Sequence, residues 1–126
     1  MEQKTTKGKI LYIEDEVDAC RTMIEFLNPR GFAVIISFTA EEAYGLLKKW
    51  NPDLVLLDLK LIGASGIDFV HKIQNEGIKI PVVIITAYPK KISEIEIRGL
   101  NIRGYYEKPY SYAELYKTIK QILEVR

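Results

Sequence analysis

Four short strand-like runs, each ending in a polar or charged residue, constrain this chain more than any other feature. The sharpest is Leu54-Val55-Leu56-Leu57. It is bounded by Asn51-Pro52-Asp53 before it and by the stretch from Gly63 to Gly66 after it, and Asp58 follows at once. An apolar run of that length between turn residues reads as a strand buried on both faces. Ile10-Leu11-Tyr12-Ile13 runs into Glu14-Asp15-Glu16, Pro81-Val82-Val83-Ile84-Ile85 into Thr86, and Gly104-Tyr105-Tyr106-Glu107 into Lys108-Pro109. In open α/β sheets, ligands bind outside the carboxyl ends of the strands. A polar residue after one strand is ordinary. Carboxylates, a hydroxyl and an ammonium placed one step beyond four strands point to a shared site.

Between these runs apolar residues recur at helical spacing. Val17, Cys20, Ile24 and Leu27 form one such stripe, stopped by Asn28-Pro29-Arg30-Gly31. Phe32-Ala33-Val34-Ile35-Ile36-Ser37 is a β-branched strand. Thr39 with Glu42, Ser65 with Asp68 and Ser111 with Glu114 have the spacing of helix-capping pairs. The inward faces that follow are Ala43, Leu46, Leu47 and Trp50; then Ile67, Val70 and Ile73; then Leu115, Ile119, Ile122 and Leu123. Residues 90–100, with Ile92, Ile95, Ile97 and Gly99, predict a short or distorted helix. Five strands alternating with five helices predict the α/β class, with right-handed parallel crossovers and a sheet covered on both faces. A flavodoxin-like (βα)5 doubly wound, five-stranded parallel sheet of order 2-1-3-4-5 is one natural solution. In that order the first and third strands are neighbours, and Glu14, Asp15 and Asp58 meet at one crevice.

A chain of 126 residues, 48% apolar and 28% charged, is expected to form one domain with a real core. We read residues 1–8 as a loose polar tail and 9–126 as the domain. A net charge of +1 gives no argument for direct binding of nucleic acid or an anionic membrane. The single cysteine, Cys20, excludes an internal disulfide and fits a cytoplasmic setting. Its place among Val17, Ile24 and Leu27 makes it a core residue by default. His71 reads as a solvated helix residue, and Trp50 as a helix end that packs. No apolar stretch approaches the roughly 20 residues of a membrane helix, and residues 1–8 carry no segment of signal-peptide type.

Carboxylates brought together repel, and a hard divalent cation offsets that repulsion. Mg²⁺ takes oxygen ligands and commonly uses one or two carboxylates plus a phosphate. With one oxygen of Asp58 on the metal, the other can attack phosphorus and give an acyl phosphate. Lys108 is the ammonium available to the phosphoryl oxygens, and Thr86 the hydroxyl. Nothing in the chain matches a Walker phosphate loop. The structural alternative for Lys108 is an ordinary ion pair with Asp58 or Asp15.

The motifs Ile-Glu-Asp-Glu at 13–16, Leu-Leu-Asp at 56–58, Gly66, Thr86-Ala87 and Lys108-Pro109 resemble the receiver domain of two-component response regulators, the chemotaxis-receiver superfamily. The resemblance runs from about Lys9 to Val125. It implies Asp58 as phosphoacceptor and a Mg²⁺ site, also open to Mn²⁺, formed by Asp15, Asp58 and the backbone carbonyl of Lys60, with Glu14 helping through water. It implies Lys108 and Thr86 at the phosphoryl group, Thr86 and Tyr105 as the switch pair, and a cis peptide before Pro109. The implied donor is a phosphohistidine on a sensor histidine kinase or a histidine phosphotransfer protein. An output partner is expected on the face formed by residues 88–126, with a homodimer left open. Ile62 and Ser65 depart from the family's usual proline and acidic residue. Lys60 and Tyr88 occupy the positions that line the path of attacking water. Residues 89–100 depart most.

Three functions compete. A phosphorylation-switched signalling module is favoured, turning over no external substrate. A phosphorylation-independent interaction module would typically have lost the acceptor or the lysine, whereas Asp58, Asp15, Thr86 and Lys108 are all present. An aspartate-nucleophile phosphatase would normally carry a second acid two residues after the nucleophile, where this chain has Lys60.

Overall fold

The computed structural model describes residues 6–60, 66–90, 94 and 97–124. Among them, β1 (Gly8–Ile13), β2 (Phe32–Ser37), β3 (Leu54–Leu57), β4 (Val82–Thr86) and β5 (Ile102–Glu107) form one five-stranded sheet. Its order is β2-β1-β3-β4-β5 and every adjacent pair is parallel. This is the flavodoxin-like doubly wound arrangement that the strand–helix alternation predicts. The helices are α1 (Val17–Leu27), α2 (Ala40–Trp50), α3 (Gly66–Asn75) and the C-terminal α4 (Tyr112–Glu124). The further helix expected across residues 90–100 falls largely outside the described residues, as do Ile62 and the Ser65 cap.

Strand alternation explains why the apolar runs are continuous. Leu11 and Ile13, Val55 and Leu57, and Val82 and Ile84 pack with α2 and α3 on one face. Ile10 and Tyr12, Leu54 and Leu56, and Val83 and Ile85 pack with α1 and α4 on the other. Successive side chains point to opposite faces, so a strand covered on both sides needs apolar residues at every position.

Some boundaries differ from the sequence reading. Gly8, assigned to the tail, opens β1, and the Lys7 backbone N–H donates to the Gly31 carbonyl at 2.8 Å. Pairing of β1 with β2 from Gly8↔Phe32 onward extends the strand past its apolar part. Val17 lies outside the α1 stripe, 57% exposed at the first turn, and Met23 is the buried residue that periodicity passed over. The Thr39–Glu42 cap forms in part as expected. The Glu42 N–H donates to Thr39 Oγ1, but the Glu42 carboxylate accepts from the Phe38 N–H, one residue before the cap. β5 begins two residues earlier than Gly104, at Ile102, and a register shift follows between the Val82↔Ile102 and Val83↔Gly104 pairs.

One close approach bears directly on the acceptor strand. A Cβ on Gly66 would lie 2.9 Å from both the Asp58 carbonyl oxygen and Leu59 Cα. Those are backbone atoms, so α3 seats against the residue that ends β3 only because position 66 has no side chain. Gly45, inside α2, has nothing within 4 Å of such a Cβ. Gly66→Ala is expected to cost about 2 kcal/mol through overpacking. Gly45→Ala should stabilise by up to about 1 kcal/mol through helix propensity. Urea denaturation of both variants checks the pair; equal effects would remove the steric account of Gly66.

Candidate functional site

The parallel register brings the strand ends to one edge. Ile13 pairs with Leu57, and the ladder continues one bond further, with Asp58 N–H donating to the Ile13 carbonyl at 3.0 Å. On the other side, Thr86 pairs with Glu107 and the Lys108 N–H donates to the Thr86 carbonyl at 2.8 Å. Glu14 and Asp58 continue the alternation of Tyr12 and Leu56, so they fall on the α1–α4 side. Lys108 follows Tyr106, which packs on that side too.

The three charges meet there. Lys108 Nζ donates to Glu14 Oε1 at 2.9 Å and to Asp58 Oδ2 at 3.0 Å. Asp58 Oδ1 accepts from the Lys60 N–H at 3.0 Å. Glu14 is almost fully buried, at 1% exposure, and both its oxygens are held. Oε1 also accepts from the Tyr12 hydroxyl at 3.0 Å, and Oε2 accepts from the Glu16 N–H at 3.2 Å. Above them Glu14, Asp15, Glu16, Asp58, Lys60, Ala87 and Lys108 line an open cleft of about 410 Å³. The lysine peptide bond to Pro109 is cis, as the resemblance implied.

Partial burial by itself would loosen the Lys108 proton, but hydrogen bonds and charge from Glu14 and Asp58 together outweigh it and raise its pKa. Burial, then the Glu14 charge, raises the Tyr12 pKa strongly, so the phenol keeps its proton and acts as a donor. Burial, then Glu14 and Asp15, pushes the Cys20 thiol up to about 11. The reactive form of cysteine is the thiolate, so Cys20 is the core residue its position suggested.

Thr86 and Tyr105 occupy different ground. Thr86 continues the alternation of Ile84, on the α2–α3 side, and is fully buried. Its Oγ1 accepts from the Tyr88 N–H at 3.3 Å. Tyr105 packs on that same side, and its hydroxyl donates to the Tyr88 carbonyl at 2.9 Å. Both therefore hold the backbone of Tyr88, two residues past the Thr86 strand end.

The residues present fit a hard cation. Asp15, Asp58 and Lys60 border one cleft and offer carboxylate and carbonyl oxygens, few enough to leave places for water and a phosphate. Glu14, expected to reach a metal-bound water, instead has its carboxylate tied to Tyr12, Lys108 and Glu16. Among the described residues no group of three or more His, Cys, Asp or Glu is arranged to hold a metal by itself. Sequence reasoning passed over Tyr12 and Glu16. Tyr12 was detectable, since it lies two residues before Glu14 and a strand places such residues on one face.

A family model for the response regulator receiver domain matches residues 10–120. The chain belongs to that family. It is 34% identical over 119 residues to the phosphate regulon transcriptional regulatory protein PhoB of Escherichia coli (strain K12), covering 91% of this chain and 51% of that protein. It is 28% identical over 118 residues to sporulation initiation phosphotransferase F of Bacillus subtilis (strain 168), covering 94% of this chain and 95% of that one. The chain spans about half the length of PhoB and of several other curated relatives it matches. Among solved structures, it resembles the N-terminal domain of a response regulator/sensory box/GGDEF 3-domain protein from Carboxydothermus hydrogenoformans. The TM-score is 0.82 at 31% identity, over 93% of this chain and 94% of that one.

Removing Lys108 from this receiver would strand a buried carboxylate. Lys108→Met is expected to cost about 2–3 kcal/mol at neutral pH. Because the folded-state pKa is raised, the pair's contribution is complete below the ordinary lysine value of about 10.4. It is lost only as pH rises through the higher folded value. Urea denaturation of both proteins should show a constant gap through neutral pH that closes in strong alkali. A gap that closes below pH 9 would contradict the assignment to Lys108.

Proposed function

We propose that this receiver accepts a phosphoryl group on Asp58 from a phosphohistidine donor and signals by a change of shape. One observation carries the reading. The Lys108 ammonium lies 3.0 Å from Asp58 Oδ2 at the mouth of the central strand, in a cleft that also presents Asp15 and Lys60. In the reaction an Asp58 oxygen forms a bond to phosphorus as the bond from phosphorus to the donor imidazole nitrogen breaks. That nitrogen leaves as neutral imidazole once protonated from solvent. The Lys60 N–H orients the carboxylate, and Lys108 turns to the phosphoryl oxygens as their charge builds. Asp15, Asp58 and the Lys60 carbonyl would hold Mg²⁺ or Mn²⁺, which when bound supplies positive charge to the phosphoryl oxygens.

The switch would run through Tyr88. The Thr86 hydroxyl would turn to donate to a phosphoryl oxygen, giving up the bond its Oγ1 accepts from the Tyr88 N–H. That frees one of the two bonds holding the Tyr88 backbone, the other being from Tyr105. An acyl phosphate that binds better to the rearranged loop shifts the population towards it. Membership of the family, and similarity to a protein named a phosphotransferase, support a phosphohistidine donor. The output partner is placed on the face formed by residues 88–126, and the setting is the cytoplasm. Such a switch turns over no external substrate.

Incubation with acetyl phosphate and Mg²⁺, followed by intact-mass spectrometry, should add one phosphoryl group. Asp58→Asn and chelation by EDTA should each abolish it. An adduct that survives in Asp58→Asn would place the acceptor elsewhere. Tyr88 follows Ala87 of the cleft wall and is 40% exposed. Tyr88→Ala should shorten the phosphoryl lifetime roughly threefold, by opening the path of water, a change of about 0.7 kcal/mol in barrier. Decay of the labelled protein after donor removal gives that lifetime, and an unchanged half-life would exclude shielding by this side chain.

A further inference from the structure

We propose that Tyr12 is a positioning residue for Lys108, acting through Glu14, and that its hydroxyl makes the lysine available to the phosphoryl group. The inference rests on the phosphoacceptor reading above. Glu14 Oε1 accepts two hydrogen bonds, from Tyr12 at 3.0 Å and from Lys108 at 2.9 Å. The same lysine also bridges to Asp58 Oδ2 at 3.0 Å. At rest, then, the ammonium is shared by two carboxylates and belongs to neither.

To serve phosphoryl oxygens on Asp58 the ammonium has to turn away from Glu14. A buried carboxylate that loses its cation bears a large desolvation cost. Glu14 is 1% exposed, so water is a poor substitute for the lysine. Tyr12 can. Its ring is fixed in the α1–α4 core at 1% exposure, and strand alternation aims its hydroxyl along the same face as Glu14. Strong elevation of its pKa keeps the phenol protonated beside the carboxylate. When Lys108 moves, the Tyr12 bond to Oε1 remains, and an anion with fewer donors holds the remaining one more tightly. The Glu16 N–H does the same for Oε2. The phenol thus contributes more in the reacting state than at rest, which is the condition for lowering a barrier.

Two measurements test this. The first is the rate of Asp58 labelling by acetyl phosphate at saturating Mg²⁺, read by intact mass. Tyr12→Phe removes one oxygen and keeps the ring, and it should label about tenfold more slowly, equivalent to about 1.4 kcal/mol. The Mg²⁺ concentration giving half the maximal rate should move less than twofold, because Tyr12 does not border the cleft. In a Glu14→Asp background, where the carboxylate is drawn back from the phenol but keeps its charge, Tyr12→Phe should change the rate less than twofold. A similar slowing in both backgrounds would show a general structural effect and overturn the proposal. So would an unaltered rate in Tyr12→Phe, or a loss explained by weaker Mg²⁺ binding.

The second measurement uses no metal or phosphate. In urea with EDTA, the destabilisation caused by Lys108→Met should be at least twice as large in the Tyr12→Phe background as in the unaltered chain, because the two donors back each other up on one oxygen. Additive losses would refute that sharing. Absence of label on the unaltered chain would sink the phosphoacceptor reading itself. Normal labelling of the unaltered chain with an unaffected Tyr12→Phe would sink only the role of Tyr12.

Discussion

The ion bridge from Lys108 to Glu14 and Asp58 ties the ends of β5, β1 and β3 into one unit. Those strands are not sequential neighbours. The order β2-β1-β3-β4-β5 places β1 beside β3 at the point where the winding reverses. The bridge therefore depends on topology first and on side-chain reach second. Its electrostatics are asymmetric, since one ammonium faces two buried carboxylates, with Asp15 and Glu16 also bordering the cleft. That excess of negative charge is tolerable because backbone N–H groups of Glu16 and Lys60 and the Tyr12 phenol supply the remaining hydrogen bonds. Such an excess is the charge pattern that a bound cation would offset.

Much of this was legible in the sequence, for a physical reason. A strand buried on both faces cannot carry polar residues until it leaves the core, so Asp58, Glu14 and Thr86 mark strand ends by their first appearance, whereas the half-exposed β5 already carries Arg103 and Glu107 before Lys108. The parallel order then followed from alternation with helices. What the pattern could not reveal was which face each end residue takes. Leu56 to Asp58 and Tyr12 to Glu14 count by twos on one face, whereas Ile84 to Thr86 counts by twos on the other. Treating the strand ends as one set hid that difference. Val17 was misplaced for a related reason. Its spacing suits the helix stripe, but it stands at the first turn of α1, where it is more than half exposed.

The division between faces shapes how a signal would pass. Asp58, Lys108, Glu14 and Tyr12 belong with α1 and α4, while Thr86 and Tyr105 belong with α2 and α3. The two groups touch through the backbone of β4 and β5, where the Lys108 N–H is bonded to the Thr86 carbonyl. Both Thr86 and Tyr105 end on Tyr88, one at its N–H and the other at its carbonyl. The loop leaving β4 is pinned a third time, by the Lys90 N–H on the Glu107 carboxylate. A segment held by a few exposed or half-buried hydrogen bonds lies at the low-stability end of the molecule. Small changes in one bond can move it, whereas the β1–β3–β4 core cannot follow.

This separation also explains why a buried phenol belongs at position 12. A lysine that must serve two carboxylates at rest and a third group in reaction needs partners that stay satisfied without it. On the Asp58 side the Lys60 N–H is backbone and cannot leave. On the Glu14 side the equivalent permanence has to come from a side chain, because Oε1 is held by two side chains, Tyr12 and Lys108. Valine or isoleucine would fill that space with similar burial but leave Oε1 to the lysine alone. The geometry thus assigns Tyr12 a chemical task that its place in an apolar run concealed. It predicts that the hydroxyl, more than the ring, sets how readily Lys108 is released.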